Sequence, residues 1–237
     1  MFENYNKIIL FDTETTGLDA EKCQIIELAA LVVERINGKL QATKKYDKLI
    51  KLINPNDKLP EEIVNLTHIT DEMLSEYGIL ESDAAKDFYE MLHSDNGKVL
   101  VIAHNTQFDL NFIHTLLKHN FNDAYEVISN CDYLDTLTVV KDRKEYPHKL
   151  ESCIEHYNLE DKVKNSHRAI DDVLALFAVT NAMAMERDDL DEYINIFGYN
   201  PKYGLSGIPF NFITYQKQYY QNIGILKPED ILPKNIK

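Results

Sequence analysis

The stretch Ile8-Ile9-Leu10-Phe11-Asp12-Thr13-Glu14-Thr15-Thr16-Gly17 carries most of what the sequence says about fold and chemistry. Four consecutive apolar residues, Ile8 to Phe11, are enough for a buried strand and too few for a helix. Two carboxylates follow at i and i+2, a spacing that places both on one side of an extended chain. Thr15-Thr16-Gly17 then reads as a turn. Solvated acids at a strand end would be the ordinary interpretation. The apolar run before them and the turn after them instead give the layout of a site at a strand's C-terminal end.

The flanking sequence extends this strand into a layered α/β domain. Residues 25–33 and 46–53 read as two more strands, the second stopped by Asn54-Pro55, which makes a three-strand antiparallel meander. Pro60-Glu61-Glu62 opens a helix and Thr70-Asp71-Glu72 a short second one. Residues 82–93 carry a helical pattern with Ala85, Phe88, Met91 and Leu92 inward. Residues 99–103 form a fourth buried strand and 108–118 an amphipathic helix. Residues 131–134 make a short fifth strand, and Asp135 caps a helix from Thr136. Residues 150–157 and 169–185 are helical, the latter mostly apolar. The expectation is an α/β fold with a mixed five-stranded sheet, the meander plus two further strands, flanked by helices.

The 237 residues suit one large domain, or one domain with an appendage, and 44% apolar content supplies a sizeable core. The formal net charge of -14 excludes a simple basic clamp for nucleic acid. Charge alone points to a soluble enzyme of small molecules. Composition shifts near residue 200. Residues 201–237 hold five Lys, two acids and six aromatics, a net +3 against -17 for residues 1–200. We therefore expect a main domain over 1–200 and an extension over 201–237 that docks on the domain, a second copy or a partner. Cys23, Cys131 and Cys153 form no disulfide framework. No apolar stretch approaches the roughly 20 residues that span a bilayer, and residues 1–7 show no signal-peptide pattern. The expectation is a cytoplasmic protein with no membrane partner.

Further carboxylates stand where periodicity calls for apolar residues. In the helix at 108–118 the inward stripe is Asp109, Phe112, Ile113, Leu116, so a carboxylate leads the apolar face. Asp172, with Asp171 beside it, sits among apolar neighbours in the last long helix. Either Asp109 or Asp172 alone reads as a helix N-terminal acid favoured by the dipole. Buried carboxylates need a cation, a donor or a metal; few Lys or Arg lie close in sequence, and Arg168 is one candidate. Together, Asp12, Glu14, Asp109 and Asp172 favour a hard divalent ion, Mg²⁺ or Mn²⁺, because the donors are all oxygen. Two such ions about 4 Å apart would clamp the attacking and leaving oxygens of a phosphoryl transfer. His167, five residues before Asp172, could accept a proton from the attacking water.

These residues resemble the DnaQ-like, DEDDh 3′–5′ exonucleases, which have a ribonuclease-H-like fold. Asp12-Thr13-Glu14-Thr15-Thr16-Gly17 is similar to the first motif and Ala103-His104-Asn105-Thr106-Gln107-Phe108-Asp109 to the second. His167-Arg168-Ala169-Ile170-Asp171-Asp172 is similar to the third, with its His-x4-Asp spacing. The resemblance covers roughly residues 5–185 and leaves the tail out. It implies that Asp12, Glu14 and Asp172 hold one metal ion and Asp109 a second, with Asp12 bridging and Asp171 outside the set. It makes His167 the general base. It places Thr15, Thr16, Gly17 and Leu18 against the terminal nucleotide, Leu18 as an apolar wedge. Asn105 and Phe108 would line the same pocket, and His68 and Ile69 would touch the nucleotide.

The implied reaction releases nucleoside 5′-monophosphates from the 3′ end of single-stranded DNA, in proofreading or repair, as in the proofreading subunit of bacterial DNA polymerase III. The same motifs serve RNA-trimming enzymes, and sugar choice depends on contacts to the 2′-OH. A module that binds nucleic acid or a polymerase without chemistry is the alternative of another class. The intact acids and His167 speak against it. Expected partners are a single-stranded 3′ end, a DNA polymerase subunit and a second copy in a homodimer. Lys39, Lys44, Lys45, Lys48 and Lys51, with Asp47 among them, give a local net +4, read here as a solvated hairpin face. The overall acidity then means only that the chain should not grip long duplex DNA by itself.

Overall fold

The computed structural model describes residues 2–164 and 167–218. Tyr219 and Tyr220 and the three lysines beyond them in the tail lie outside the described residues. Strands β1 (Lys7–Thr15), β2 (Ile25–Ile36) and β3 (Lys39–Leu49) form the antiparallel meander. Helices α1 (Glu61–Thr67), α2 (Asp71–Tyr77) and α3 (Glu81–Met91) lead to β4 (Val99–Ala103). Then come α4 (Thr106–Asn120), α5 (Ala124–Ser129), β5 (Asp132–Asp135), α6 (Thr136–Arg143), α7 (Leu150–His156) and α8 (Ala169–Glu186). The sheet order is β3-β2-β1-β4-β5, with β4 and β5 joined in parallel to the meander through β1. This is the mixed sheet the motifs imply.

Strand β1 is central and covered on both faces, which is why its start reads as an unbroken apolar run. Its pleat sorts the side chains. Ile9 and Phe11 enter the core shared with α3 and α4, while Ile8 and Leu10 enter the core shared with α8. Continuing the alternation, Asp12 and Glu14 share the α8 side and Thr13 the α4 side. Rather than following the strand, both carboxylates lie inside it, because pairing to β2 continues to Thr15.

One strand is misplaced by the sequence reading. Strand β3 begins at Lys39, seven residues before the expected Tyr46. An Asn37-Gly38 turn makes a two-residue hairpin that pairs Ile36 with Lys39. Residues 41–45 of this edge strand are exposed, so no apolar pattern announces them. Exposed lysines on an edge also discourage pairing with a further chain.

After the 3₁₀ turn Leu190–Tyr193, strands β6 (Ile196–Tyr199) and β7 (Thr214–Lys217) pair in parallel and straddle residue 200. Phe210, at 1% exposure, packs edge-on to His114 and beside Tyr125 and Phe212. Among the described residues no helix is long and apolar enough to cross a membrane. Deleting a buried aromatic ring leaves a cavity, so Phe210→Ala should lower unfolding free energy by about 3–5 kcal/mol in urea titrations. Tyr203→Ala, at a largely exposed position, should change it by under about 0.5 kcal/mol.

Candidate active site

The C-terminal half of β1 presents Asp12 and Glu14 toward the first turn of α8, which carries Asp172. One carboxylate oxygen from each of these three residues lies within 4.8 Å of the other two. Asp109 does not join the three within that distance. It sits in the first turn of α4, 3% exposed, and accepts a 2.6 Å hydrogen bond from Thr13 Oγ1. The intervening residue of β1 thus ties α4 to the acid pair. His167 is exposed at a backbone φ of 54° ahead of α8, and it too stands outside the three-residue group.

The start of α4 is fixed by a second carboxylate. Asp135 Oδ1 accepts the backbone N–H groups of Asn105 (2.9 Å), Thr106 (3.1 Å) and Leu137 (3.1 Å). It therefore caps α6 and also holds the α4 entry, where Asn105 adopts a left-handed φ of 72°. His104 is held between Thr136 Oγ1 (3.0 Å) and the His148 carbonyl (2.8 Å), and burial pushes its pKa down. Its place is in the scaffold of the motif.

Burial and crowding shift the acids upward. Burial, then the charges of Asp109, Asp172 and Glu14, holds Asp12 well above the usual carboxylate range. Burial followed by Asp172 and Glu27 pushes Glu14 up to about 8, against a smaller opposing pull from Arg168. Burial raises Asp109 to about 7, opposed by the Thr13 hydrogen bond. Like charges at this separation disfavour ionising all the groups together. A divalent cation removes that penalty, and an oxygen-only donor set suits a hard ion. The residues present therefore fit the metal that the motifs imply.

The predicted nucleotide contacts divide. Leu18 is 85% exposed at the turn after β1, and Phe108 packs against Phe112 with ring centroids 4.9 Å apart. Both line one cavity of about 320 Å³. Thr15 Oγ1 donates to the Gly17 carbonyl at 2.7 Å, and Thr16 Oγ1 accepts from Gln24 N at 3.0 Å, so both hydroxyls brace the turn. A Cβ on Gly17 would meet Cys23 Sγ at 2.8 Å, so the close approach to this side chain selects glycine. His68 is exposed at the end of α1. The Ile69 side chain is fully buried with Ile26, Leu59 and Leu74, where it anchors the loop that carries His68.

Sequence reasoning missed Glu27. It is 0% exposed on β2, directly across from Glu14 in the register. Both its carboxylate oxygens accept from Arg168 Nε, at 3.0 and 3.1 Å, and Oε2 also accepts the Ala169 N–H at 2.9 Å. Arg168 was expected as a cation for Asp172; the structure pairs it with Glu27. This pins the N-terminus of α8 to the sheet and so sets the height of Asp172. The available signal was an acid inside the apolar run Ile25-Ile26-Glu27-Leu28.

A family model described as exonuclease, RNase_T, matches residues 9–180. The DNA polymerase III PolC-type of Staphylococcus haemolyticus is 34% identical over 188 residues, 77% of this chain and 12% of that protein. The chain thus spans 12% of the length of these curated relatives. Among solved structures, E. coli exonuclease I in complex with a dA16 oligonucleotide superposes with a TM-score of 0.68 at 19% identity, over 80% of this chain and 43% of that one. The zinc-ion-bound E. coli ExoI–ssDNA complex gives 0.66 at 18% identity, over 79% and 42%. At such identities the structural likeness is one of fold.

The raised carboxyl pKa values carry a signed prediction. An acid whose folded pKa exceeds its unfolded value keeps its proton longer in the native state. Its contribution to stability therefore falls as pH rises from about 4 toward about 8. In chelator, Asp12→Asn should raise the thermal midpoint at pH 8 and change it little at pH 4.5. Mn²⁺ should stabilise the wild-type chain more at pH 8 than at pH 5. Equal destabilisation by Asp12→Asn at both pH values in chelator would contradict this reading.

Proposed function

The chain belongs to the RNase_T family of exonucleases, DnaQ-like in its motifs, and on that premise we propose that it is a metal-dependent 3′–5′ exonuclease acting on single-stranded DNA. It releases nucleoside 5′-monophosphates from the 3′ end in proofreading or repair. The observation that carries the reading is the gathering of Asp12, Glu14 and Asp172 within 4.8 Å on the central strand and α8. Asp109 lies close enough to raise the Asp12 pKa by its charge. DNA is favoured because the curated relatives are named as DNA polymerases and the fold neighbours as complexes with DNA oligonucleotides.

In this mechanism Asp12, Glu14 and Asp172 would hold one divalent ion, Mg²⁺ or Mn²⁺, and Asp109 would help hold a second. Bound, the ions supply charge neutralisation at the scissile phosphate and a clamp on its attacking and leaving oxygens. Thr15, Thr16, Gly17 and Leu18 form the turn against which the terminal nucleotide rests. Leu18 and Phe108 offer apolar surface to its base, and Asn105 and His68 approach from exposed positions. His167, exposed and adjacent to the pinned end of α8, takes the proton of the attacking water. Asp171 stays outside the metal set. The polymerase-named relatives support action beside a DNA polymerase subunit.

The test is product release from 5′-labelled single-stranded DNA and RNA with Mg²⁺ or Mn²⁺. A ladder shortening from the 3′ end, with mononucleotide product and loss of activity in EDTA, is expected. Asp12→Asn and Asp172→Asn should each lower kcat by about 10²–10³-fold or more, the scale of lost charge stabilisation in a transition state. Asp171→Asn should keep activity within about threefold of wild type, since it loses no such contact. RNA cleaved much faster than DNA would overturn the substrate. No product from any strand, with Asp12→Asn indistinguishable, would leave a binding module in its place.

A further inference from the structure

Two amides on α4 clasp a segment that the matched family region does not include. Gln107 and Asn111 stand one turn apart, on either side of Asp109, and each is 6% exposed. Gln107 Nε2 donates to the carbonyls of Ser206 (2.9 Å) and Ile208 (2.7 Å). Asn111 Nδ2 donates to the Ser206 carbonyl at 3.2 Å, and Asn111 Oδ1 accepts the Ile208 N–H at 2.9 Å. Tyr215 Oη closes the clasp, donating to Gln107 Oε1 at 2.8 Å and accepting the Phe210 N–H at 2.9 Å. Every amide proton and oxygen of both side chains is used, since Asn111 also donates to the Gln107 carbonyl at 2.7 Å. A fully satisfied buried network of this kind fixes one geometry.

The strap so held lines the same cavity as Leu18 and Phe108. Gly207 has φ +67°, and a Cβ there would meet the Asn111 side chain at 2.5 Å. Ser206 and Gly207 line the cavity of about 320 Å³ together with Leu18, Asp19, Ala20, Phe108 and Phe112. That volume lies at the small end of ligand pockets. A lining of aromatic rings, an apolar side chain and peptide groups matches a flat ring with polar edges.

We propose that Ser206 and Gly207 form the strap wall of a nucleobase subsite that Leu18 also lines. The extension beyond residue 200 would then grip the base at the 3′ end of the strand. This rests on the exonuclease reading and adds a specificity element to it. The strap would act on binding, because stacking on a base is worth about 1–3 kcal/mol, or roughly 5–150-fold in affinity.

The test is steady-state hydrolysis of two single strands, one ending in a normal nucleotide and one ending in an abasic nucleotide. Gly207→Ala displaces the strap, and Ser206→Phe fills the cavity at an exposed position while leaving the clasp in place. For the normal strand each variant should raise KM by about 5–100-fold, with a smaller change in kcat. For the abasic strand each variant should match wild type within about twofold. Unchanged KM on the normal strand, or the same rise on both strands, overturns the strap. Should Gly207→Ala fail to fold, Ser206→Phe decides alone. No cleavage by wild type overturns the exonuclease reading itself and this inference with it, whereas cleavage with an indifferent strap overturns only the latter.

Discussion

Carboxylates that repel one another are held together by a sheet and a helix that leave them no room to part. Asp12 and Glu14 are fixed at i and i+2 on a central strand paired on both sides. Asp172 is brought to them by α8, and nothing in water would gather three such groups within 4.8 Å. The raised pKa values of Asp12, Glu14 and Asp109 express the cost of that arrangement. The rest of the fold can be understood as what sustains the cost until a cation relieves it. The Glu27–Arg168 pair holds α8 down, the Asp135 cap holds α4, and Thr13 links α4 to β1.

Removing Arg168 would leave the buried Glu27 carboxylate without its cation, and such losses are larger than the worth of the pair itself. The pair lies next to the site and ties the entry of α8 to β2, so its function is positional. The C-terminal segment has a parallel place on the α4 side, where Gln107, Asn111 and Tyr215 order the chain from Ser206 to Phe210. Both braces attach to the motif residues' immediate neighbours. The motifs therefore encode support as well as chemistry.

Much of this was legible because the informative residues violate a pattern. An acid in an apolar stripe stands out, and Asp12, Glu14, Asp109 and Asp172 were all found that way. The sheet was legible for the same reason in reverse: its central strands are uninterrupted apolar runs. Where the signal is contextual, the reading failed. Strand β3 is a solvated edge whose pairing comes from a turn, so its start was placed late. Glu27 followed the same violated-pattern rule and went unread, since its partner Arg168 is 141 residues away. The clasp involves amides, whose placement in a helix carries no hydrophobic or charge signature. The net charge misled most, because it counted acids that the fold gathers into one cluster.

The most direct test is calorimetric titration of Mn²⁺ into the chain at pH 7.5, repeated in buffers of different ionisation enthalpy. Carboxyls held protonated by burial and by one another must release protons when a cation enters. The account predicts saturable binding with net proton release, and loss of both in Asp12→Asn. Binding without proton release, or binding that Asp12→Asn leaves unchanged, would contradict the claim that this acid cluster is the metal site on which the fold is organised.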